Sequence, residues 1–407
     1  MRGTESISTT TFSLDAFTKE EIIQAAINTA FESGLPLAMW RMPNQNEVNL
    51  IISLDDAKTI NRVDLDQLPK GFLFTPFDFP NRNARFVESD ISFSFDFDEV
   101  VTNLFDQEES DSKKQFLAKF IEQTDKERSK TSYHTHKNNK KESTEYRALV
   151  ERSIEAIKAK AFDKVVPART KHIQISNEFD LLDFFFELAK DYENAFISAV
   201  SIPGEGTWIG ATPETLIEVS DGYFKTVALA GTQNFQGFNA LSNTSWTQKE
   251  IEEQAMVSRY IIDCFKKIRL REYKEIGPKT VKAGNLVHLK TTFEVDTEAT
   301  NFAELGTVML ELLHPTSAVA GMPKNPALDF LNLFEGMDRG FYAGYLGPVA
   351  HGDKTHLFVN LRCLQLFNDS AALFAGAGIT EDSDPEKEYL ETELKFNTLL
   401  NIVNKAK

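Results

Sequence analysis

The arrangement of strand-like segments is the feature that most constrains the fold of this 407-residue chain. Apolar runs rich in β-prone residues follow one another in blocks, and these runs cover residues 195–202, 207–211, 215–219, 223–231, 355–367 and 371–378. Long helical patterns at about 246–271 and 385–404 follow the blocks and do not alternate with single strands. Antiparallel strands can be joined by short turns, whereas parallel strands need a crossover that is usually a helix. The sequence therefore predicts an α+β fold in which largely antiparallel sheets pack between helices.

The chain divides into three parts. Residues 1–106 mix a helical pattern at 19–33 with strand-like runs, so we expect them to belong to the same α+β domain as the rest. Residues 107–146 combine dense charge with few large apolar side chains, which predicts an exposed excursion that is partly helical around 113–124. Residues 147–407 carry the longer patterns and every chemical motif described below, and we expect them to form the functional core.

Charge and composition exclude several classes of partner. A formal net charge of −17 argues against nucleic acid and anionic membranes, because both are bound through basic surfaces. No apolar run approaches the roughly 18–20 residues that span a bilayer, and the N-terminal residues lack the apolar stretch of a secretory signal. Two cysteines, Cys264 and Cys363, are too few for a disulfide framework. We expect a cytoplasmic protein whose partner is a small molecule, with no nucleic-acid or membrane partner.

The C-terminal helical pattern contains the acidic run EKEYLETELK, which helical geometry divides into two sides. Each residue of an α-helix advances by about 100°, so Glu391 lies at about −60° and Lys395 at about −20° from Glu388. These three side chains share one face of the predicted helix. Glu386 and Glu393 lie on roughly the opposite side, where we expect them to be solvated.

A second helical pattern, KEIEEQAMV, repeats the same three-residue step between glutamates. Glu250 and Glu253 share one face of this predicted helix. Two helices that each present such a pair could together build a site of four carboxylates, and hard oxygen ligands of that kind suit Mg²⁺. The alternative is two ordinary solvated helix faces, because pairs with this spacing are common on exposed helices. The spacing alone leaves both readings open.

Several single residues near the predicted strands add possible chemistry. The turn AGAGIT at 375–380 puts two glycines between a strand and the acidic helix, which suits either a tight turn or a backbone anion site. Arg362 lies inside an apolar strand pattern, where its guanidinium needs a carboxylate from the protein or from a ligand. Lys164 is flanked by apolar residues and is either a strand-edge lysine or a general base. Glu214 follows a turn that contains glycine and proline.

With these residues assembled, the chain resembles the chorismate-utilising enzymes, and most closely the isochorismate synthases. The resemblance spans about residues 150–400 and is looser over the first 145. The matching stretches, in chain order, are FDKVVPAR, TWIGATPETLIEV, ALAGT, KEIEEQAMV, LVHLKTTFE, LLHPTSAVAGMP, MDRGFYAGYLG, LFVNLRC and AGAGITEDSDPEKEYLETELK. It implies the large α+β domain of that family, with 147–407 as the chorismate-binding catalytic core.

The resemblance also implies a magnesium ion and the residues that hold it. Glu253 and Glu391 match the two glutamates that ligate Mg²⁺ directly. Glu250 and Glu388 match the glutamates that support the ion through water or as neighbours. The ion would in turn meet the ring carboxylate of chorismate, whose charge an acidic protein would otherwise repel.

The same resemblance implies roles for the remaining motif residues. Lys164 matches the general base that activates water for attack at C2 of chorismate. Glu214 matches the general acid that protonates the departing C4 hydroxyl group. The residues that match positions around the bound substrate are Thr232, His288, Tyr342, Arg362, Gly376 and Lys395.

Some residues distinguish among the branches of the family. Ala230 stands where aminodeoxychorismate synthases carry a lysine, and the presence of Lys164 disfavours anthranilate synthases. Salicylate synthases share that lysine and form isochorismate before they eliminate pyruvate, so they remain the alternative activity. A non-catalytic chorismate-binding homologue is a further alternative, which the retained acid, base and glutamates disfavour. Four places beside the predicted pocket depart from the usual pattern, namely Pro167, Gln233, Gln254 and residues 344–347.

We therefore expect a Mg²⁺-dependent isochorismate synthase that acts on chorismate. The general resemblance favours menaquinone synthesis over siderophore synthesis as its pathway. We expect a monomer, with a dimer as the alternative.

Overall fold

A computed structural model of the chain describes residues 14–96, 100–105, 110–126, 130–136, 145–234, 241, 244–283 and 286–405, apart from the side chains of residues 232, 234, 283 and 286. Its helices are the 3-10 helix η1 (Leu14–Ala16) and the α-helices α1 (Lys19–Glu32), α2 (Asp111–Thr124), α3 (Tyr146–Lys158), α4 (Leu181–Asp191), α5 (Gln248–Lys267), α6 (Leu305–Leu313), α7 (Lys324–Phe334) and α8 (Pro385–Lys405). Helices α1, α2, α5 and α8 confirm helical patterns of the sequence, with ends that differ by a few residues. Within the described ranges, no helix is both long and apolar enough to cross a bilayer.

The described strands form two large sheets and one short pair, and all of their pairings are antiparallel. In spatial order, the first sheet contains β7 (Val100–Thr102), β6 (Ile91–Phe95), β2 (Val48–Ile52), β1 (Leu37–Arg41), β10 (Phe196–Ile202), β11 (Gly206–Thr212), β19 (Cys363–Leu366), β20 (Ser370–Gly376) and β9 (Ala168–Gln174). The second contains β14 (Lys274–Ala283), β15 (Leu286–Asp296), β13 (Tyr223–Asn234), β12 (Thr215–Ser220), β18 (Thr355–Val359), β17 (Tyr345–Val349), β4 (Gly71–Thr75), β5 (Ala84–Glu88) and β3 (Lys58–Ile60). The pair joins β8 (Lys164–Val165) to β16 (Gly321–Met322). The predicted α+β class with antiparallel sheets is confirmed.

The two large sheets pack face to face across a layer of aromatic side chains. Trp40 of β1 lies 5.4 Å from Phe72 of β4, and Phe196 of β10 stacks on Phe358 of β18 at 4.1 Å, measured between ring centroids. Successive side chains of a strand point to opposite faces, so Met39, next to Trp40, belongs to a second apolar cluster on the other side of the first sheet. Helices α1, α2, α4 and α8 cover that side, while α5 and α6 pack on the second sheet.

The run 355–367, which the sequence presents as one strand, is two strands in different sheets. β18 ends at Val359 in the second sheet and β19 belongs to the first, so Arg362 lies in the crossover and the prediction that it sits inside a strand is wrong. Another crossover, from β11 to β12, carries Glu214. The Val359 amide donates to the Glu214 carbonyl at 2.9 Å, and the Ala211 amide donates to the Arg362 carbonyl at 3.0 Å. These bonds hold the two crossovers, and the residues they carry, side by side.

The expectation that 107–146 forms an exposed excursion is corrected in part. Helix α2 lies within this segment and packs on α1, with Phe116 and Phe120 in the apolar cluster beneath it. Residues 130–136 are tied to the body of the protein, because the Thr131 amide donates to the Asp180 carboxylate at 2.7 Å. Residues 106–109, 127–129 and 137–144 lie outside the described residues.

Candidate active site

One cavity of about 250 Å³ collects most of the residues that the sequence singles out. Its walls come from both crossovers, from β8, β15 and β20, and from helices α5 and α8. The predicted residues that line it are Lys164, Glu214, Glu250, Glu253, His288, Tyr342, Arg362, Gly376, Glu391 and Lys395. Glu388 does not line the cavity, and the side chain of Thr232 lies outside the described residues. Segments more than 200 residues apart in sequence therefore meet in one place.

Lys164 reaches the cavity from the short strand β8 and is only 3% exposed. Its ammonium contacts a Glu253 carboxylate oxygen at 3.0 Å, and its positive charge holds the pKa of Glu253 below the ordinary range. Glycine at position 378 leaves room for the lysine side chain, because a Cβ atom on Gly378 would lie 2.8 Å from Lys164 Cε. On the other side, a Cβ atom at Gly321 would lie 2.2 Å from the Lys164 carbonyl oxygen. Glycines on two neighbouring segments thus make room for this lysine.

Glu214 is a buried carboxyl group at the end of the β11–β12 crossover. Burial raises its pKa to about 7, against the lowering effect of the positive charges on Lys164, Lys395 and Arg362. A carboxyl group with this pKa is protonated in a large fraction of molecules at neutral pH. Such a group can donate a proton to a leaving group, as a general acid does.

Arg362 occupies the other crossover in a left-handed backbone conformation, with φ of 49°. This conformation is uncommon for residues other than glycine and is often found at functional sites. Among the described residues, none forms a hydrogen bond or ion pair with its guanidinium group, which lines the cavity. Burial lowers the pKa of Arg362, while nearby Tyr342 and Glu391 raise it. A cation held in this way is well placed to receive an anionic group from a ligand.

Tyr342, Gly376 and Lys395 lie next to one another in the wall of the cavity. The Lys395 ammonium donates to the Gly376 carbonyl at 2.8 Å. A Cβ atom on Gly376 would lie 2.8 Å from the Pro167 carbonyl oxygen and 3.3 Å from the Tyr342 hydroxyl, so the backbone can approach both only as glycine. Burial raises the pKa of Tyr342, so its hydroxyl keeps its proton and can donate it in a hydrogen bond.

His288 lies on β15 opposite Thr232 of β13. Its Nδ1–H donates to the Gly231 carbonyl at 3.2 Å, which fixes the tautomer because a carbonyl oxygen can only accept. Burial, together with the positive charge of Arg362, lowers the pKa of His288 to about 4. The imidazole is therefore neutral at physiological pH.

Two further glutamates are matched with lysines. Glu391 lies 2.6 Å from the Lys395 ammonium; burial raises the pKa of this carboxyl, but the lysine more than offsets that effect and the pKa lies below the ordinary value. Glu388 is buried and lies 3.3 Å from the Lys249 ammonium. Burial, with the charge of Glu391, raises the pKa of Glu388. The face shared by Glu388, Glu391 and Lys395, predicted from helical spacing, thus points toward the cavity and its rim.

Glu250 has a different structural role, because its carboxylate caps the N-terminus of α5. It accepts a hydrogen bond from the Thr247 amide at 2.7 Å and forms a capping box with that residue. The Gln233 side chain donates to both of its oxygens, at 2.9 and 2.8 Å. Gln233 is one of the departures from the usual family pattern, and here it fixes the glutamate at the start of the helix that carries Glu253.

Three of the four glutamates, Glu253, Glu388 and Glu391, therefore contact a lysine, and the fourth, Glu250, caps a helix. Across the ranges that the structure covers, no three acidic, histidine or cysteine side chains converge closely enough to form a ready metal site. The donor chemistry nevertheless fits Mg²⁺, because the carboxylates of Glu250, Glu253 and Glu391 are hard oxygen ligands that line one cavity.

The outer side of α8 departs from expectation. Glu386 is exposed, although it pairs with Arg147 at 2.6 Å. Glu393, predicted to be solvated, accepts hydrogen bonds from Arg169 and from Lys171, so that prediction is wrong. Both cations belong to β9, more than 200 residues earlier in the chain, and nothing local to α8 indicates them.

Lys249 is a cavity residue that the sequence analysis did not find. Its contact with Glu388 joins α5 to α8, so its neighbours in sequence give no signal of that contact. The only available hint is its place directly before Glu250 in the KEIEE motif.

Comparison with known proteins identifies the family. A family model described as chorismate binding enzyme matches residues 84–404. Isochorismate synthase MenF of Bacillus subtilis is 30% identical over 260 residues, which cover 62% of this chain and 54% of that protein. Isochorismate synthase EntC of Escherichia coli is 27% identical over 266 residues, which cover 64% of this chain and 67% of that protein. The chain thus matches about half to two thirds of the length of these curated relatives.

Solved structures share the fold over nearly the whole chain. The structure of MenF, the menaquinone-specific isochorismate synthase from Escherichia coli, superposes with a TM-score of 0.73 at 21% identity and covers 96% of this chain and 93% of that one. Anthranilate synthase component I from Streptococcus pneumoniae superposes with a TM-score of 0.65 at 19% identity and covers 89% of this chain and 90% of that one. The predicted resemblance is confirmed, and the chain belongs to the family of chorismate binding enzymes.

Proposed function

We propose that the protein is a Mg²⁺-dependent isochorismate synthase, which converts chorismate to isochorismate. The observation that carries this proposal is that a buried lysine and a buried carboxyl group with a pKa of about 7 face the same cavity. Isomerisation by exchange of a hydroxyl group needs one group to take a proton and another to give one. The names of the similar curated proteins point to the same reaction.

In this reaction water adds to one ring carbon while a hydroxyl group leaves another. Lys164, in its neutral form, accepts a proton from the water whose oxygen bonds to C2. The ring double bonds shift, and the C4–O bond breaks as Glu214 gives its proton to the departing hydroxyl group, which leaves as water. One water enters and one leaves, so the product is an isomer of the substrate, and we expect the reaction to be reversible.

Chorismate carries two carboxylates, and the cavity supplies local positive charge within an acidic protein. Arg362, whose guanidinium has no hydrogen-bond or ion-pair partner among the described residues, is the residue that we assign to the enolpyruvyl carboxylate. Tyr342 and the backbone at Gly376 lie beside it in the same wall, and we assign them to the same group. Lys395, which already bonds to the Gly376 carbonyl, adds a second cation. His288, which is neutral, and Thr232 complete the proposed substrate contacts.

Glu253 and Glu391 are the residues that we assign to direct Mg²⁺ binding. When bound, the ion would supply positive charge against the ring carboxylate of chorismate. Glu388, which is buried on the same helix as Glu391, would support the site. Glu250 would support it through the helix cap, because the capped turn fixes where Glu253 lies on α5.

The proposal is tested by incubating the purified protein with chorismate and Mg²⁺ and separating the products by chromatography with fluorescence detection. Isochorismate is the expected product. Salicylate with pyruvate would indicate salicylate synthase activity, and anthranilate on addition of ammonia would indicate a different branch of the family. Binding of chorismate without turnover would indicate a non-catalytic homologue.

The variant Lys164→Ala tests the assignment of the base. Turnover should be abolished while chorismate binding, measured by calorimetry, stays largely intact, because Arg362 and Lys395 remain. Lys158→Ala, which removes an exposed lysine on α3, is the matched control and should keep full activity. A fully active Lys164→Ala variant would show that another group activates water.

A further inference from the structure

Pro167 breaks the strand that carries Lys164. β8 ends at Val165, β9 begins at Ala168, and the proline between them has no backbone N–H with which to continue a ladder. Buried backbone groups on either side of such a break need other hydrogen-bond partners. In this chain, side chains of a distant segment supply them.

Glu335 and Arg339 bond to the backbone on both sides of the break. The Ala168 amide donates to Glu335 Oε1 at 2.7 Å, and Arg339 Nη2 donates to the Val166 carbonyl at 2.7 Å. The same guanidinium donates through Nη1 to the Val319 carbonyl at 2.9 Å. Val166 and Val319 line the cavity, and they flank the short pairing of β8 with β16. The two side chains therefore hold the segment that carries Lys164 and the segment that pairs with it.

The two side chains also lock each other. Arg339 Nε donates to Glu335 Oε2 at 2.7 Å and Nη2 donates to Oε1 at 2.6 Å, while the side chains are 4% and 5% exposed. Burying a charge pair contributes little to stability compared with apolar residues of the same volume, so its presence calls for another reason. Neither residue lines the cavity, which excludes direct contact with a ligand there. The Arg339 guanidinium also lies over the Phe77 ring, 4.2 Å from its centroid. The remaining hydrogen bonds of the two side chains go to the backbone of Val166, Ala168 and Val319.

We propose that Glu335 and Arg339 are positioning residues that brace the strand break at Pro167 and thereby fix where the Lys164 side chain enters the cavity. This inference rests on the proposed function for its kinetic consequence. The Glu335–Arg339 pair, called the brace below, affects the position of Lys164 and leaves the substrate contacts of Arg362 and Lys395 in place. Its loss should therefore lower kcat more than it raises KM for chorismate.

The variant Arg339→Lys tests the brace. Lysine keeps a positive charge opposite Glu335, but it has no planar fork with which to bridge the carbonyls of Val166 and Val319. Since a displacement of about 1 Å can lower turnover by about 100-fold, we expect kcat to fall by at least about tenfold with KM changed less than about twofold. Arg85→Lys is the control, because Arg85 also forms an ion pair with a glutamate, Glu205 at 2.7 Å, although at a more exposed position, and lines no part of the cavity.

A measurement that needs no substrate tests the positioning role of Glu335 and Arg339 independently of the proposed function. Hydrogen exchange of the peptide over 162–170 should speed up in Arg339→Lys and stay unchanged in the Arg85→Lys control. If Arg339→Lys fails to fold, the double variant Glu335→Met with Arg339→Met replaces it, because this variant leaves no buried charge. We again expect a lower kcat, a nearly unchanged KM and faster exchange over 162–170. If the wild-type protein makes no isochorismate, the proposed function is wrong. The hydrogen-exchange measurement alone then tests whether Glu335 and Arg339 hold the backbone at Pro167. A folded variant with kcat within about twofold of wild type, or with unchanged exchange over this peptide, would overturn the proposal.

Discussion

Replacing Glu214 with glutamine should change how the stability of the protein depends on pH. Burial raises the pKa of this carboxyl from 4.5 to about 7. Each pH unit of pKa difference corresponds to about 1.4 kcal/mol, so the difference of about 2.5 units corresponds to about 3 kcal/mol of free energy of unfolding. The folded state binds this proton more tightly than the unfolded state does. The contribution is therefore fully present below about pH 4.5 and is lost as the pH rises through about 7.

Urea unfolding of both proteins across this pH range measures the effect. Glutamine does not titrate, and the other titrating groups are common to both proteins, so the difference between their free energies of unfolding isolates Glu214. Relative to the variant, the wild-type protein should lose about 2 to 3 kcal/mol of stability between about pH 5 and about pH 8. Glu155→Gln, at an exposed position of α3, is the control and should run parallel to the wild type.

The outcome also bears on the role of Glu214 as an acid. A difference that stays flat from about pH 5 to about pH 8, or that grows in the opposite direction, would refute a raised pKa for the buried carboxyl. The assignment of Glu214 as the proton donor would then lose its physical basis. If the expected slope is found, the buried carboxyl keeps its proton close to neutral pH, as the role of a general acid requires.

Three further predictions follow from single contacts. Arg362→Gly should leave the melting temperature unchanged or raise it, because glycine suits the left-handed backbone, while KM for chorismate rises by at least about tenfold with the loss of a charge-assisted hydrogen bond. Unfolding scans and steady-state kinetics measure both, and an unchanged KM would contradict the assignment of this guanidinium. Gly378→Ala should fold but lower kcat by about tenfold or more, because the new methyl group displaces Lys164 Cε, which lies 2.8 Å away; unchanged kinetics would show that the lysine tolerates the shift. Dialysis against a chelator should abolish turnover and added Mg²⁺ should restore it, whereas full activity in the chelator would rule out the metal assignment.

Helical geometry predicted the side of α8 that meets the cavity, because the positions of Glu388, Glu391 and Lys395 depend only on a local period. The same reasoning failed for Glu393, whose partners on β9 are brought to it by the tertiary fold. Local period defines a direction on a helix, but it does not say what the helix packs against.

The position of Arg362 shows a second limit. An apolar run of thirteen residues, 355–367, has the composition of one long strand, and nothing in its alternation marks the change of sheet after Val359. The change of sheet places the guanidinium at a corner of the fold and leaves Glu214 beside it. The hydrogen bonds from Gln233 to Glu250 were equally hidden, since they join β13 to α5. Family resemblance indicated which residues meet, and the folded chain supplied their contacts.

The most direct test of the central claim is to run the reaction in water enriched in oxygen-18 and to weigh the isochorismate formed early in the reaction by mass spectrometry. If Lys164 activates solvent water for attack at C2 while the C4 hydroxyl group departs, each product molecule should carry one oxygen-18 atom at C2. Unlabelled isochorismate would show that the hydroxyl group moves without exchange with solvent and would contradict the assigned roles of Lys164 and Glu214. The absence of isochorismate would contradict the proposed function itself.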